Sequence, residues 1–352
     1  MVMTSFGVEE NDARDRGGPA QPLLIVNGLK KHFAIRGGVL GRVSARVRAV
    51  DGVSFSVRKG ETLGIVGESG CGKSTVARLL LRLIVPDGGE QIFDGEAVGE
   101  PRGITVAEMR RQVQMVFQDS ASSLNPRMPV QNSIAFGPIA FGTPKEEAIG
   151  MARELLVKVG LNPALFGGRY PHELSGGQKQ RINIARALAL KPRMIILDEA
   201  VSALDKSVEA QVLNLLQALK RDLKLTYIFI SHDLGVVRWI SDRVLVMYLG
   251  EVVEIGPADA IYNAPKHPYT RALLASRPAL DPDNRREEAP VSGDPPNPIN
   301  PPSGCRFHTR CAHAEAVCSA QAPRLGHADH GAHLAACHME DAASGHSQAV
   351  RH

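Results

Sequence analysis

The chain has 352 residues, with 41 Lys and Arg against 37 Asp and Glu, so its formal net charge is only +4. That balance gives no support to nucleic-acid binding driven by charge alone, which needs a clustered basic face, and 43% hydrophobic with 22% charged residues marks the bulk of the chain as globular. No run approaches 18 consecutive apolar residues, which excludes a transmembrane helix, and the polar start MVMTSFGVEENDARDRGG lacks the basic-then-apolar order of a secretory signal, so the expectation is a protein kept in the cytosol.

Residues 1–21 read as a disordered lead-in. LLIVNGL and the alternating VRAVDGVSFSVRKG predict strands, with an exposed Gly- and Arg-rich loop from Gly37 to Arg48 between them. ETLGIVG (Glu61–Gly67) predicts a short buried strand that runs through a Gly-rich turn into an apolar helix ended by Pro86. QVQMVFQ (Gln112–Gln118) is a further strand, and Asp119 to Leu190 is mostly helical by its apolar spacing. MIILD predicts a strand, Ser207–Leu223 a helix and TYIFISH a strand; DRVLVMYLG and EVVEIGP form a hairpin around Gly250. Residues 277–304 hold eight prolines and read as a stiff linker. A Cys- and His-rich module at 305–340 and a disordered tail at 341–352 follow, leaving 22–276 as the main domain.

GESGCGKST, Gly67 to Thr75, places Gly67, Gly70 and Gly72 where backbone N–H groups curl around phosphates, before a predicted helix. Lys73 reaches the β- and γ-phosphates and Ser74 suits Mg²⁺. RMIILDEA ends an apolar strand in two carboxylates: Asp198 suits a Mg²⁺ ligand held through water, and Glu199 suits a base that polarises an attacking water. LSGGQ opens a helix that Ser175 caps, with Gly176 and Gly177 permitting close backbone approach. Two phosphate-binding loops in one chain are most simply explained by two nucleotides shared with a second subunit. Four of the five cysteines, Cys305, Cys311, Cys318 and Cys337, are spaced C-x5-C-x6-C-x18-C, a four-thiolate pattern that matches neither usual ferredoxin spacing nor paired zinc-ribbon cysteines. The spacing leaves the metal open. His308, His313, His327, His330, His333 and His338 read as exposed loop residues. Cys71, inside the Gly-rich turn, reads as a thiol open to alkylation.

In order, the phosphate loop, Gln118 after VQMVF, LSGGQ, LDEA, SALD (Ser202–Asp205) and ISHD (Ile230–Asp233) make the chain resemble an ABC-transporter ATPase subunit across residues 23–276. NAPKHPYTRALLAS, SGCRFHTRCAHAEAVC and VFQDSASSLNPRM are similar to the peptide and nickel importers, the dipeptide/oligopeptide type above all. The fold so implied is α/β: a P-loop NTPase core of the ABC ATPase type with an antiparallel β subdomain and a helical signature subdomain, plus the Cys-rich module. The resemblance implies Phe33 stacked on adenine, Lys73, Ser74 and Thr75 on phosphates and Mg²⁺, and Gln118 on Mg²⁺ or its water. It implies Ser175, Gly176, Gly177 and Gln178 closing over the partner's γ-phosphate, Glu199 as catalytic base, Asp205 reaching across the dimer, and His232 as the γ-phosphate switch. It further implies ATP and Mg²⁺, a [4Fe–4S] cluster on the four cysteines with zinc as the alternative, two membrane permease subunits, a second ATPase (a sibling before an identical copy) and a solute-binding protein. The implied location is peripheral, on the cytoplasmic face of the membrane, and the implied work is ATP-driven import of di- and oligopeptides. Nickel or another small solute is the alternative cargo, and a soluble non-transport ABC ATPase the alternative class.

Overall fold

A computed structural model describes residues 15–18, 21–37, 42–119, 122–276, 293–326 and 332–350. Two long strands, β1 (Leu24–Gly37) and β2 (Arg42–Val57), precede β3 (Thr62–Val66), α1 (Lys73–Leu80), β4 (Gly88–Phe93) and β5 (Glu96–Ala97). Then come α2 (Val106–Gln112), β6 (Val113–Val116), and the helices α3 (Val130–Ala140), α4 (Lys145–Lys158), α5 (Pro163–Phe166) and α6 (Gly176–Leu188). β7 (Met194–Asp198), α7 (Lys206–Leu223), β8 (Thr226–Ile230) and α8 (Leu234–Ile240) lead to β9 (Arg243–Tyr248), β10 (Glu251–Pro257), α9 (Ala258–Asn263) and α10 (Pro268–Ala275). α11 (Ala316–Ala320) and β11 (Leu334–Ala335) lie in the C-terminal part. The chain divides into two compact units, one of residues 1–24, 57–62 and 93–231, the other of residues 25–56, 63–92 and 232–352.

In the first unit β6, β7 and β8 pair in parallel, Val113 opposite Met194 and Met194 opposite Thr226. Every residue of MIILD and TYIFI is buried, as expected of parallel strands covered on both faces. Asp198, the one carboxylate in this run, stands at the C-terminal end of β7. α6 packs on α3, α4, β6 and α7 through Ile182, Ala185 and Leu188. Of the expected disordered lead-in, residues 1–14 and 19–20 lie outside the described residues; Asp15 pairs with Lys59 and the Arg16 backbone N–H donates to Asp94, so Asp15–Gly18 is tied down. Burial pushes Asp94 up, yet Arg193, Arg16 and Lys59 together hold it at about 2.

In the second unit β3 and β9 are parallel and β9 turns into β10 antiparallel. The hairpin anticipated around Gly250 forms: Tyr248 pairs with Glu251 across Leu249 and Gly250, both at positive φ, a two-residue type I′ turn. β11 pairs with β10, Ile255 opposite Leu334, and so covers the outer edge of that strand. β2, β1 and β4 neighbour one another in that order in a separate sheet.

Three further expectations change. Part of the predicted Gly37–Arg48 loop is strand, because Val43, Ala45, Val47 and Ala49 alternate with polar residues and period two outweighs the Gly and Arg content. α1 stops at Leu80 well before Pro86: Arg82 is left-handed at φ +54 and the Leu83 N–H donates to the Arg78 carbonyl, a Schellman closure. Residues 341–350, expected as a disordered tail, fold back: the Val350 N–H donates to the Met339 carbonyl, and His346 is buried with its Nε2 on the His313 carbonyl. Of the Pro-rich linker, residues 277–292 lie outside the described residues, while Pro298 accepts the Arg48 N–H.

Candidate functional site

The turn between β3 and α1 carries the phosphate-loop residues in the second unit. Gly72 has φ +109, and a Cβ there would stand 2.2 Å from the Ala49 carbonyl oxygen; at Gly67 the Met247 oxygen is equally close. Any larger residue forces the loop off its neighbours. Gly70 sits between them at φ +79. Lys73 is buried and donates to the Gly67 and Glu68 carbonyls at 2.7 and 3.0 Å, which places its ammonium inside the curl of the loop. Ser74 and Thr75 follow in the first turn of α1. Phe33, on β1 in the same unit, is 38% exposed with the Lys31 ammonium 5.7 Å from its ring centroid. His232 is exposed, just ahead of α8.

Glu68 is held at both backbone and side chain. Its N–H donates to Tyr269 Oη at 2.9 Å, and its carboxylate receives both guanidinium Nη atoms of Arg310 at 3.0 and 3.2 Å. Arg310 also donates to Tyr248 Oη at 3.3 Å. Arg306, one turn earlier, binds the Leu249 carbonyl, Asp51 and Glu251. A cavity of about 210 Å³ borders the loop, lined by Glu68, Ser69, Cys71, Tyr248, Pro295 and Pro298. Cys71 is buried, not open as expected, and burial pushes its thiol pKa up. The motifs do not single out Arg310, which lies 242 residues from its partner Glu68 and reaches it only through tertiary packing.

The first unit holds the remaining motif residues. Gln118 Nε2 donates to Glu199 Oε2 at 2.7 Å, so the predicted base and the predicted Mg²⁺-sensing glutamine already touch. Glu199 is left-handed at φ +48, a strained position for a non-glycine residue, and its N–H donates to the Ile230 carbonyl. Asp198, adjacent to it, is buried. Ser175 caps α6 in a capping box: Ser175 Oγ accepts the Gln178 N–H and Gln178 Oε1 accepts the Ser175 N–H. A Cβ on Gly176 would meet Leu204 at 3.6 Å, an ordinary contact, whereas one on Gly177 would stand 2.4 Å from Val208, so α7 requires glycine there. Asp205 caps α7, accepting from the Val208 N–H and the Ser207 hydroxyl; these bonds hold its pKa low.

The C-terminal cysteines converge. Cys305, Cys311, Cys318 and Cys337 line one cavity of about 20 Å³ together with Phe307 and Met339. The Cys305 N–H donates to the Cys318 carbonyl at 2.7 Å, and none of the five cysteines is disulfide-bonded. Burial, with neighbouring thiols adding to it, pushes Cys305 up to about 12 and Cys337 up to about 11. Among the described residues, no three of His, Cys, Asp or Glu are disposed to hold a metal ion. The histidines are not plain exposed loop residues. His308, His313 and His338 line the same cavity, and His338 Nε2 lies on the Gln321 carbonyl. His333 Nε2 meets Glu254, which is fully buried, at 2.6 Å. His327 and His330 lie outside the described residues. His267 is buried against this region, its Nδ1 accepting the Tyr269 N–H as the cap of α10.

Comparison with known proteins shows the family. Residues 50–202 match the family described as ABC transporter, and residues 253–318 match the oligopeptide/dipeptide transporter C-terminal region. The oligopeptide transport ATP-binding protein AppF of Bacillus subtilis (strain 168) is 49% identical over 324 residues, covering 91% of this chain and 98% of that protein. The dipeptide transport ATP-binding protein DppF of Escherichia coli (strain K12) is 47% identical, covering 91% and 95%. Among solved structures, cbiO1 of Clostridium perfringens, part of the ABC transporter complex cbiONQ, is 26% identical with a TM-score of 0.58, covering 69% of this chain and 91% of that one. The ATP-binding cassette MJ0796, in a dimeric post-hydrolysis state bound to ADP and Pi, is 27% identical with the same TM-score, covering 67% and 98%.

Proposed function

The chain belongs to the ATP-binding proteins of the oligopeptide/dipeptide ABC transporters and is an ATPase, and we propose that it is the motor subunit of an importer for di- and oligopeptides. The observation that carries the cargo class is the extent of the likeness: relatives named for oligopeptide and dipeptide transport align over 91% of the chain, and residues 253–318 match that family's own C-terminal region. In this reading the motor lies on the cytoplasmic face of the membrane, bound to two permease subunits and a second ATPase, with a solute-binding protein delivering the cargo. Among the described residues, no helix is long and apolar enough to cross a membrane.

The chemistry is phosphoryl transfer from ATP to water, which needs positioning and charge stabilisation more than covalent participation. Gly67 to Thr75 cradle the phosphates with backbone N–H groups and Lys73. Ser74, Gln118 and Asp198 would hold Mg²⁺, which supplies charge neutralisation at the phosphate oxygens. Glu199 takes the proton of the attacking water once Gln118 releases its carboxylate, and His232 contacts the γ-phosphate. Phe33 stacks on the adenine. Ser175, Gly176, Gly177 and Gln178 close over the partner's nucleotide in a head-to-tail dimer, with Asp205 reaching across.

A [4Fe–4S] cluster on Cys305, Cys311, Cys318 and Cys337 is the finer reading of the C-terminal module, with zinc as its alternative. Four thiols facing one cavity supply the right donors. Since among the described residues no three donors stand in ligand positions, loading would draw the cysteine segments together. Iron and acid-labile sulfide measured on anaerobically purified protein test this; zinc without sulfide, or no metal, overturns it.

The main test is affinity purification from detergent-solubilised membranes. Recovery of two multi-spanning subunits and a second ATPase, with ATP-dependent uptake of labelled dipeptide into vesicles, is the expected outcome. Recovery from the soluble fraction alone sinks the transport role.

A further inference from the structure

We infer that Arg310 is a positioning residue for the phosphate loop, and that through it the four-cysteine segment sets the affinity for ATP. The inference rests on Gly67–Thr75 being the loop that holds the nucleotide.

The argument starts from an oddity of charge. Glu68 puts a carboxylate into a loop whose work is to surround anionic phosphates. Lys73 cannot neutralise it: its ammonium is given to the Gly67 and Glu68 carbonyls within the loop. The compensating cation arrives from a point 242 residues further along the chain, as both Nη atoms of Arg310 on both carboxylate oxygens. This planar fork fixes the direction of the carboxylate as well as its charge. The guanidinium is itself pinned, its side chain 7% exposed and lying 5.9 and 6.0 Å from the Tyr248 and Phe307 ring centroids. With the Glu68 N–H on Tyr269 Oη, the residue at the head of the loop is clamped at backbone and side chain by the C-terminal region.

Arg310 cannot move independently of the cysteines. It ends the short turn His308–Arg310, next to Cys311. The His308 N–H donates to the Cys305 carbonyl, the Cys305 N–H to the Cys318 carbonyl, and the Cys311 N–H to the His308 carbonyl. The guanidinium therefore stands on the same frame as the cysteine cavity. A change in that frame, whether thiol ligation or thiol modification, acts on Glu68 and hence on the loop.

The test is steady-state ATPase kinetics with equilibrium binding of a fluorescent ATP analogue, using full-length protein. R310Q leaves the Glu68 carboxylate bare beside the phosphates; KM for ATP and the analogue Kd should rise by about tenfold or more, with kcat changed less than about threefold. E68Q leaves a cation without its anion, and KM should fall. The double variant E68Q/R310Q should return within about threefold of wild type, a rescue that a role in folding alone does not produce. R310K, which keeps charge without the fork, should fall between R310Q and wild type. Should R310Q fail to fold, the sign of the E68Q change decides: a raised KM overturns the inference. C311A should raise KM, and should add less to R310K than it does to wild type; full additivity overturns the link to the cysteines. K73A separates the two layers. Analogue binding retained in K73A removes the loop assignment and this inference with it, whereas binding lost in K73A but unchanged in R310Q removes the inference alone.

Discussion

Replacing His267 by Asn should remove much of the acid sensitivity of the second unit. Burial holds this imidazole neutral, moving its pKa from 6.5 down to about 4, with the Glu254 carboxylate only partly offsetting the burial. Between those two values the unfolded chain takes up a proton that the folded chain refuses, so stability falls as pH drops through this window. At 1.36 kcal/mol per unit of pKa, the loss between pH 7 and pH 5 comes to about 2 kcal/mol. That is a large share of the 5–15 kcal/mol typical of a folded protein. Glu254 acts later: the bonds from His333, Lys266 and His267 outweigh its burial and depress its pKa, so its contribution is lost only as pH falls below the ordinary carboxylate range. Asn is the informative replacement because its side-chain oxygen can still accept the Tyr269 N–H and cap α10. Urea unfolding at pH 7 and pH 5, followed by the single tryptophan Trp239 in α8 of the same unit, measures both slopes. H267N should cost about 1–2 kcal/mol at pH 7 through lost packing while losing most of the wild-type drop between pH 7 and pH 5. An unchanged drop in the variant would refute the assignment of that proton to His267.

Other outcomes follow from the site. E199Q should cut ATP hydrolysis by at least about a hundredfold while retaining ATP binding, because only the group that takes the water's proton is lost; rapid-quench turnover and filter binding measure the two. G72A puts a Cβ 2.2 Å from the Ala49 oxygen at φ +109, and should cost at least about 2 kcal/mol in urea unfolding as well as nucleotide binding. G177A drives a methyl onto Val208 Cγ1, so the N-terminus of α6 should shift and ATPase activity of the assembled complex should fall even with the phosphate loop intact. Cys71, buried and with its thiol pKa raised, should resist maleimide at pH 7 in the folded protein and react only on unfolding, as read by peptide mass mapping.

What was legible in the sequence was chemistry local to a short segment. The glycines of Gly67–Thr75, the cap and paired glycines of LSGGQ, and the carboxylates ending β7 each declare a backbone geometry or a charge within a few residues. The hairpin around Gly250 belongs to the same class. The contacts that cross the chain were not legible. Nothing near Glu68 announces Arg310, and nothing near Glu254 announces His333, because each partner is set by tertiary packing. Histidine content also misled: six histidines after Cys305 read as solvated loop and His346 fell in an expected disordered tail, yet His338 and His346 are buried on backbone carbonyls. The helical φ of Glu199 is reversed in hand, which no residue preference for glutamate foretells.

The clasp between Glu68 and Arg310 also has a dimension in time. During translation the phosphate loop leaves the ribosome 242 residues before its counter-cation. At about 5–20 residues per second, the nascent chain carries a bare carboxylate beside that loop for roughly 10–50 s. A polypeptide cut short between His232 and Arg310 keeps every nucleotide motif named above yet never acquires the cation that faces Glu68.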